Sequence, residues 1–204
     1  MAINIKTAKF VKSSENLAQC PVTLQPEFAF IGRSNVGKSS LINMLTGVSH
    51  LAKVSSTPGK TRTINHFIIN DDWYIADLPG YGYAKVSAGK REKWNTESVR
   101  YILGRKNLVS LFVLLDSRIP PQDSDIRFME MLGLNLVPFA RIFTKTDKLS
   151  SNEIRKAISL CDTVMLEKWE ELPPAIITSS ARKTGREEVL EYIEQSINNF
   201  RKTG

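Results

Sequence analysis

Cysteine and histidine are scarce in this chain, and their scarcity argues against two kinds of site. Cys20 and Cys161 are the only cysteines among 204 residues. They stand far apart, which argues against a zinc site or a disulfide framework. His50 and His66 are likewise too few for a histidine-based metal cluster. We therefore expect all four side chains to have ordinary structural roles.

Long apolar runs are also missing. No segment approaches the roughly 18 consecutive apolar residues that a membrane span requires, and the start, MAINIKTAKFVKSSEN, lacks the apolar stretch of a signal peptide. The chain shows no internal repeat, low-complexity tract or linker. We therefore expect a soluble, cytoplasmic protein with no membrane partner. It should form one domain over residues 1–204, with residues 1–27 as a weakly patterned N-terminal extension that allows one strand at INIKTAKFV.

Positive charge is the clearest bias of the composition. Lys and Arg total 28 against 21 Asp and Glu, a formal net charge of +7, which suggests a polyanionic partner. Within residues 85–106 only Glu92 and Glu97 oppose a run of basic residues, namely Lys85, Lys90, Arg91, Lys93, Arg100, Arg105 and Lys106. This basic stretch is interpreted either as an RNA-binding surface or as a solvated helix face with Trp94 and Tyr101 turned toward the core.

Strand-like and helix-like segments alternate along the chain from residue 28. β-rich runs lie at residues 28–31, 63–69, 73–77, 108–116, 136–144 and 175–180. Helical spacing is found near residues 38–47, 88–105, 123–133, 151–170 and 186–200. The alternation predicts an α/β domain with a mostly parallel six-stranded sheet and helices on both faces. Only NDD separates the second and third runs, so these two strands should form a hairpin, with one of them antiparallel.

The segment GRSNVGKSSLIN carries the strongest motif. Gly32, Gly37, Lys38 and Ser39 have the spacing G-x-x-x-x-G-K-S/T, after an apolar strand and before a helical pattern. The glycines let backbone N–H groups surround phosphate oxygens, and the helix directs its positive dipole end at the same anion. Lys38 can reach the outer phosphates, and the Ser39 hydroxyl can ligate magnesium. The pattern predicts a P-loop that binds nucleotide phosphates.

Two further motifs complete the predicted phosphate and base contacts. In DLPG, Asp77 could hold magnesium through water, and the Gly80 N–H could contact a γ-phosphate. In SSA, the Ala181 N–H could donate to guanine O6. Both motifs follow predicted strands, and ligands of open α/β sheets bind at the carboxyl ends of strands.

The motif TKTD indicates that the base is guanine. The Asp147 carboxylate would accept hydrogen bonds from guanine N1–H and the exocyclic amine, two donors that adenine does not present on that edge. Lys145 would lay its aliphatic stem over the base. TKTD therefore disfavours a plain ATPase.

Together the motifs resemble the GTP-binding domain of translation-factor-class GTPases. GRSNVGKSSLIN, STPGKTRTIN, DLPGYGYAKV and TKTDKL more closely resemble the EngB family, also called YihA or YsxC, of bacterial ribosome-biogenesis GTPases, and the likeness covers nearly the whole chain from Phe28. The resemblance implies a P-loop GTPase domain, GTP or GDP bound with magnesium, slow hydrolysis, and a role in assembly of the large ribosomal subunit, with its rRNA as partner. We expect a monomer.

The resemblance also implies roles for single residues. Thr61 would close onto magnesium and the γ-phosphate, with Thr63 as the alternative. Thr144 stands where many GTPases have Asn, so a side-chain contact to the phosphate loop should be shorter or absent. The predicted catalytic residues are Lys38 and Thr61, and the predicted magnesium ligands are Ser39, Thr61 and Asp77. The predicted nucleotide-binding residues are Gly32, Arg33, Ser34, Asn35, Val36, Gly37, Lys38, Ser39, Ser40, Pro58, Gly59, Lys60, Thr61, Asp77, Leu78, Pro79, Gly80, Thr144, Lys145, Thr146, Asp147, Ser179, Ser180 and Ala181.

The residue after Gly80 bears on the rate of hydrolysis. Tyr81 stands where Ras-like enzymes place a water-orienting Gln, so intrinsic hydrolysis should be slow and no residue qualifies as a general base. Asn35 could hold a potassium ion beside the phosphates and so replace an arginine finger. Alternatively, it only shapes the loop through local hydrogen bonds. Lys38 is expected to have the ligand as its partner and not the core, so that Lys38→Ala should lose triphosphate affinity while the fold survives.

Two classes of function fit the sequence. The first is a GTP-driven assembly factor that docks on ribosomal RNA, and the second is a signalling-type GTPase whose partner is a protein or a membrane surface. The C-terminal residues NNFRKTG carry no lipidation signal, which disfavours membrane anchoring.

Overall fold

One seven-stranded sheet organises the chain in a computed structural model, which describes residues 3–53, 63–81 and 88–203, with the backbone alone for residues 88–95 and 203. The strands are Ala8–Ser14 (β1), Glu27–Gly32 (β2), Ile64–Ile69 (β3), Trp73–Asp77 (β4), Leu108–Asp116 (β5), Phe139–Thr144 (β6) and Ala175–Ile177 (β7). The helices are Lys38–Thr46 (α1), Ala88–Gly104 (α2), Asp123–Leu134 (α3), Ser151–Leu166 (α4) and Arg186–Thr203 (α5).

The strand order is β1-β3-β4-β2-β5-β6-β7. β3 runs antiparallel to both of its neighbours, β1 and β4, and the pairings from β4 to β7 are all parallel. The predicted fold class, a mostly parallel sheet with one antiparallel strand, is therefore confirmed. The sheet has seven strands and not the six predicted, because the N-terminal strand β1 pairs with β3 at the edge of the sheet.

The predicted hairpin between β3 and β4 turns through two residues of positive φ. Asn70 and Asp71 both have φ 53°, and the Asp72 N–H donates to the Ile69 carbonyl oxygen at 3.0 Å. Positive φ at both central residues defines the type I′ turn, whose twist matches that of the paired strands. Asn and Asp adopt this conformation more readily than other side chains.

Helices cover both faces of the sheet, as predicted. Side chains of α1 and α5 pack on one face around Phe28, Phe30 and Phe112. Side chains of α2, α3 and α4 pack on the other face around Ala29 and Ile31. The central strand β2 is buried along its whole length, which is why residues 28–31 form a continuous apolar run and not an alternating one.

Several predicted boundaries were wrong, among them the end of the last run, because β7 ends at Ile177 and not at residue 180. The fifth run does not begin at residue 136, because Leu136 adopts φ 54° at the end of α3, and β6 begins only at Phe139. α4 ends at Leu166 and not near residue 170; the N–H groups of Lys168 and Trp169 then turn back onto the Met165 carbonyl oxygen.

A buried polar cluster fastens the end of α2 to the sheet. Arg105 holds the Glu27 carboxylate in a fork, with Nε to Oε1 at 2.9 Å and Nη2 to Oε2 at 2.8 Å, and the Tyr101 hydroxyl donates to the same carboxylate. His66 Nε2 lies 3.2 Å from that hydroxyl, and burial lowers the pKa of His66 to about 4. Arg105, predicted as part of the basic stretch, is thus partly buried, and its guanidinium group is paired with Glu27.

Candidate functional site

The phosphate loop joins β2 to α1 through backbone that only glycine fits well. Gly37 has φ 104° and precedes the first helical residue, Lys38. A Cβ at Gly32 would lie 2.9 Å from both the Leu114 carbonyl oxygen and Val36 Cγ1. The first N–H groups of α1 have no intrahelical acceptor and are directed at the carboxyl edge of the sheet. The loop therefore has the backbone geometry of an anion site.

Lys38 and Asp77 are brought into direct contact by this geometry. The Lys38 ammonium group touches Asp77 Oδ1, and the two residues are only 9% and 3% exposed. Burial lowers the pKa of the Lys38 ammonium group, whereas the adjoining carboxylate favours the charged form. The expectation that Lys38 has no partner in the core was wrong, because the side chain forms a buried ion pair that joins α1 to the end of β4.

The segment DLPG packs directly against the phosphate loop. The Leu78 N–H donates to the Phe30 carbonyl oxygen at 3.0 Å. A Cβ at Gly80 would lie 2.6 Å from the Gly32 carbonyl oxygen, so a larger residue would force the two segments apart. Tyr81 follows as a buried residue whose ring stacks on Phe128 of α3, with centroids 4.6 Å apart. The phosphate loop and DLPG thus pack together and form one surface.

Lys145 crosses the phosphate loop from the neighbouring strand end. Its φ of 61° turns the chain just after β6. Its Nζ donates to the Asn35 carbonyl oxygen at 2.5 Å and to Asp116 Oδ2 at 2.9 Å, and a Cβ at Gly37 would lie 3.8 Å from Lys145 Cε. The aliphatic stem is thus held across the loop, where it could form one wall of a base pocket.

Thr144 contacts the phosphate loop despite replacing Asn. Its hydroxyl donates to the Val36 carbonyl oxygen at 2.6 Å, with the Leu115 carbonyl oxygen at 3.1 Å. The contact that the resemblance left in doubt is therefore present. It is possible because β6 pairs beside β5 and its last side chain reaches the loop.

Asp116 is a site residue that the sequence analysis missed. Partial burial raises its pKa, but hydrogen bonds from Arg118 and Lys145 outweigh burial and lower the pKa to about 2. The carboxylate is therefore ionised and fixes the Lys145 ammonium group. Its position at the carboxyl end of LVSLFVLLD, on the ligand edge of the sheet, was a signal that could have identified it.

Asp147 is oriented by the loop that follows β7. The Ser179 hydroxyl donates to Asp147 Oδ1 at 2.8 Å and accepts from the Arg182 N–H at 3.1 Å. The bond from Ser179 lowers the pKa of Asp147, so the side chain is an acceptor at neutral pH. Ser179 is buried and Ala181 is exposed. TKTD and SSA are therefore joined by a hydrogen bond and can act on one ligand.

Several predicted residues lie outside the described part of the chain. Pro58, Gly59, Lys60 and Thr61 are among them. The alternative threonine, Thr63, is described, and its hydroxyl donates to Asn65 Oδ1 at 3.2 Å. Within the basic stretch, Lys85 lies outside the described residues, as do the side chains of Lys90, Arg91, Lys93 and Trp94.

Comparison with known proteins identifies the family of this chain. Residues 27–145 match the family model described as 50S ribosome-binding GTPase, which is more than half of the chain. A probable GTP-binding protein EngB from Porphyromonas gingivalis is 55% identical over 196 residues, 96% of this chain and 97% of that protein. The chain belongs to the EngB family of GTP-binding proteins. Another probable GTP-binding protein EngB, from Christiangramia forsetii, is 50% identical over 97% of this chain and 99% of its own length.

Solved structures share the EngB fold. A crystal structure of a probable GTP-binding protein EngB aligns with a TM-score of 0.69 at 24% identity, over 85% of this chain and 99% of that one. The translation elongation factor SelB from Methanococcus maripaludis aligns with a TM-score of 0.61 at 16% identity, over 85% of this chain and 33% of that one. These likenesses show the fold alone. None of the helices within the described ranges is both long and apolar enough to cross a membrane.

Proposed function

We propose that this EngB-family chain is a cytoplasmic, nucleotide-switched assembly factor for the large ribosomal subunit, with slow intrinsic GTPase activity. The observation that carries the proposal is the match of residues 27–145 to a family described by ribosome binding and GTPase activity. The phosphate loop and DLPG lie within these residues, and they meet the start of TKTD at one edge of the sheet.

The phosphate and base contacts proposed from the sequence are supported by this geometry. The loop N–H groups and Lys38 would bind the phosphates, and the Gly80 N–H would contact the γ-phosphate. Asp147 would accept from guanine, with Lys145 over the base. Thr61 remains a proposed switch residue on the strength of the family resemblance.

Magnesium fits the oxygen donors at this edge. Asp77 offers a buried carboxylate, and its contact with Lys38 places it beside the first turn of α1, which carries Ser39. Hydroxyl and carboxylate oxygens are the ligands that magnesium prefers. Ser39 and Asp77 would hold the ion, which when bound offsets the negative charge of the phosphates.

Slow hydrolysis is supported by the position of Tyr81. Its ring is buried against Phe128, and a phenol cannot replace the amide of a water-orienting Gln. Rate enhancement must then come from phosphate positioning and from positive charge, a contribution of about 10³ to 10⁵ when an arginine finger provides it.

Potassium is one proposed source of that charge. Asn35 has φ 62°, and its carbonyl oxygen accepts a hydrogen bond from Lys145. This contact fixes the backbone of the phosphate loop three positions before Lys38. We expect GTP hydrolysis to be at least about tenfold faster in potassium than in sodium at equal ionic strength, because a cation there would stabilise transition-state charge. Asn35→Asp, which keeps the side-chain volume, is the comparison variant. Equal rates in the two salts would exclude potassium and leave Asn35 with a loop-shaping role.

Reversing the charge of three residues on α2 tests the ribosomal partner. We expect Lys90→Glu/Arg91→Glu/Lys93→Glu to retain GTP affinity while co-sedimentation with large subunits falls steeply. Each lost phosphate contact should also reduce the slope of log affinity against log salt by roughly one unit. The measurement is sedimentation with purified subunits across a salt series, in GDP and in a non-hydrolysable GTP analogue.

A control variant carries the same change in net charge elsewhere. Arg155→Glu/Lys156→Glu/Lys202→Glu alters exposed residues of α4 and α5 and should bind subunits like the unmodified chain. If the chain binds no subunits in either nucleotide state, the assembly role fails and a signalling role becomes the better explanation. If both triple variants bind equally, the basic stretch is a solvated face.

A further inference from the structure

A groove lies at the edge of the sheet opposite the nucleotide site. It occupies about 550 Å³ between the C-terminal ends of α3 and α4. Trp169 forms one wall, and its ring meets Phe139, the first residue of β6, edge to face with centroids 5.6 Å apart. The lining also includes Glu130, Gly133, Leu134, Glu170 and Glu171. Because β6 begins here and ends at TKTD, the groove and the base contacts are separated by the length of the strand.

Glycine is required where the helix meets the indole. A Cβ at Gly133 would lie 2.6 Å from Trp169 Cη2, so any larger residue would push the ring away from α3. Glycine in a helix costs about 0.5 to 1 kcal/mol relative to alanine. The close contact gives Trp169 a fixed position beside the open groove.

Two leucines at the end of α3 are exposed without benefit to the fold. Leu134 and Leu136 are 86% and 89% exposed. Leu136 also has φ 54°, while its N–H donates to the Gly133 carbonyl oxygen and the Val137 N–H donates to the Leu132 carbonyl oxygen, each at 3.0 Å. This arrangement is a common helix end in which the left-handed position is usually glycine. Leucine there is strained and exposed, and strained residues often mark functional surfaces.

The rim of the groove has the opposite charge to the rest of the chain. Lys168 is paired with Glu130 at 2.6 Å. Glu170 and Glu171 are exposed, and neither takes part in an ion pair within the described ranges. The chain as a whole carries a net charge of +7. An acidic rim on a basic protein repels nucleic acid and attracts a cationic partner.

We propose that the α3–α4 groove, with Leu134 in its lining and the exposed Leu136 two residues further along the chain, docks a lysine- and arginine-rich protein segment. An aliphatic side chain of that segment would pack on Trp169 and Leu134, and its basic residues would pair with Glu170 and Glu171. Tryptophan is among the residues that are enriched in binding hot spots. The site goes beyond the proposed function, since it adds a protein contact at the edge remote from nucleotide.

A synthetic peptide provides a direct test with the full chain. The probe is fluorescein-labelled KKLRKLKK, followed by fluorescence anisotropy, with KKSRKSKK as the peptide that keeps the charge and lacks the aliphatic anchors. We expect KKLRKLKK to bind at least about tenfold more tightly, because only it buries apolar surface in the groove. Leu134→Ser, and separately Glu170→Lys/Glu171→Lys, should each weaken its binding at least about tenfold.

Matched variants separate the groove from general charge attraction. Leu24→Ser changes a leucine that is 89% exposed, close to the 86% of Leu134, and Glu187→Lys/Glu188→Lys reverses an adjacent exposed acidic pair on α5. Both should keep peptide affinity within about twofold. The proposal is overturned if KKLRKLKK does not bind, if the two peptides bind equally, or if the matched variants lose as much affinity as the groove variants. No ribosome or nucleotide is present, so failure here leaves the ribosomal proposal untouched.

Leu136→Gly gives a readout that unfolding cannot mimic. Glycine relieves the left-handed strain, and we expect Tm to rise by about 2 to 4 °C. Peptide affinity should nevertheless fall at least about threefold, since the exposed leucine is lost from the docking surface. A variant that is more stable and binds the peptide as tightly as the unmodified chain would contradict the proposal.

Discussion

Replacing Lys38 by alanine is expected to weaken GTP binding by about 100-fold or more and also to destabilise the nucleotide-free protein. Hydrogen bonds to charged groups contribute about 1.5 to 3 kcal/mol each, and the ammonium group can reach two phosphates. In the absence of nucleotide, the substitution leaves the Asp77 carboxylate buried and unpaired. Breaking a buried pair in this way typically costs about 3 to 5 kcal/mol.

A double variant separates the two effects. Lys38→Ala/Asp77→Asn removes the uncompensated charge, so urea unfolding without nucleotide should show recovery of much of the lost stability. GTP affinity, measured by titration calorimetry, should remain low. Normal GTP affinity in Lys38→Ala would contradict the phosphate role of the lysine. Unchanged stability in the same variant would contradict the buried pair.

Asp147→Asn is expected to exchange guanine preference for xanthine preference, with GTP affinity at least about 100-fold lower. The carboxylate would accept two guanine donors, and a site built for such donors discriminates strongly once they no longer match. Ser179 donates to Oδ1, so in the variant the amide oxygen can keep that bond while the NH₂ group is directed toward the base. That group can donate to the oxygen that replaces the amine of guanine. Competition between GTP and XTP for binding measures this change in base preference.

Ser179→Ala is the control for orientation. It removes the hydrogen bond that orients Asp147. GTP affinity should fall about tenfold, since one hydrogen bond to a charged group is lost. It should give no gain in XTP binding, because the carboxylate remains an acceptor. If Asp147→Asn keeps the guanine preference of the unmodified chain, the residue does not recognise the base.

Local sequence was sufficient for the fold class, whereas the chemistry of the motifs stays a prediction. The spacing of Gly32, Gly37 and Lys38 predicts a strand, a glycine turn and a helix, because each step depends on neighbouring residues alone. The turn at Asn70 and Asp71 is equally local. The start of β6 could not be predicted from local sequence. Leu136 adopts a left-handed conformation at the end of α3, although the sequence around it is one apolar run.

The sequence did not predict which residues, distant along the chain, contact each other in the fold. Lys38 meets Asp77 across 39 positions, and Thr144 meets Val36 across 108 positions. Neither partner can be read from a local pattern, because strand order decides which chain segments become neighbours. Arg105 shows the same limit, since its charge suggested RNA whereas the fold places it against the buried Glu27 carboxylate.

By itself, the sequence determined that this protein is an α/β domain with the spacing of a phosphate loop, and it predicted guanine selectivity from TKTD, because both depend on residue type and close spacing. Only the tertiary structure decided that Asp116 fixes Lys145, that Ser179 orients Asp147, and that an acidic groove forms at the opposite edge. These features arise where the ends of separate strands and helices meet. Their energies depend on burial and on distances between side chains, and the order of residues along the chain carries no direct record of either.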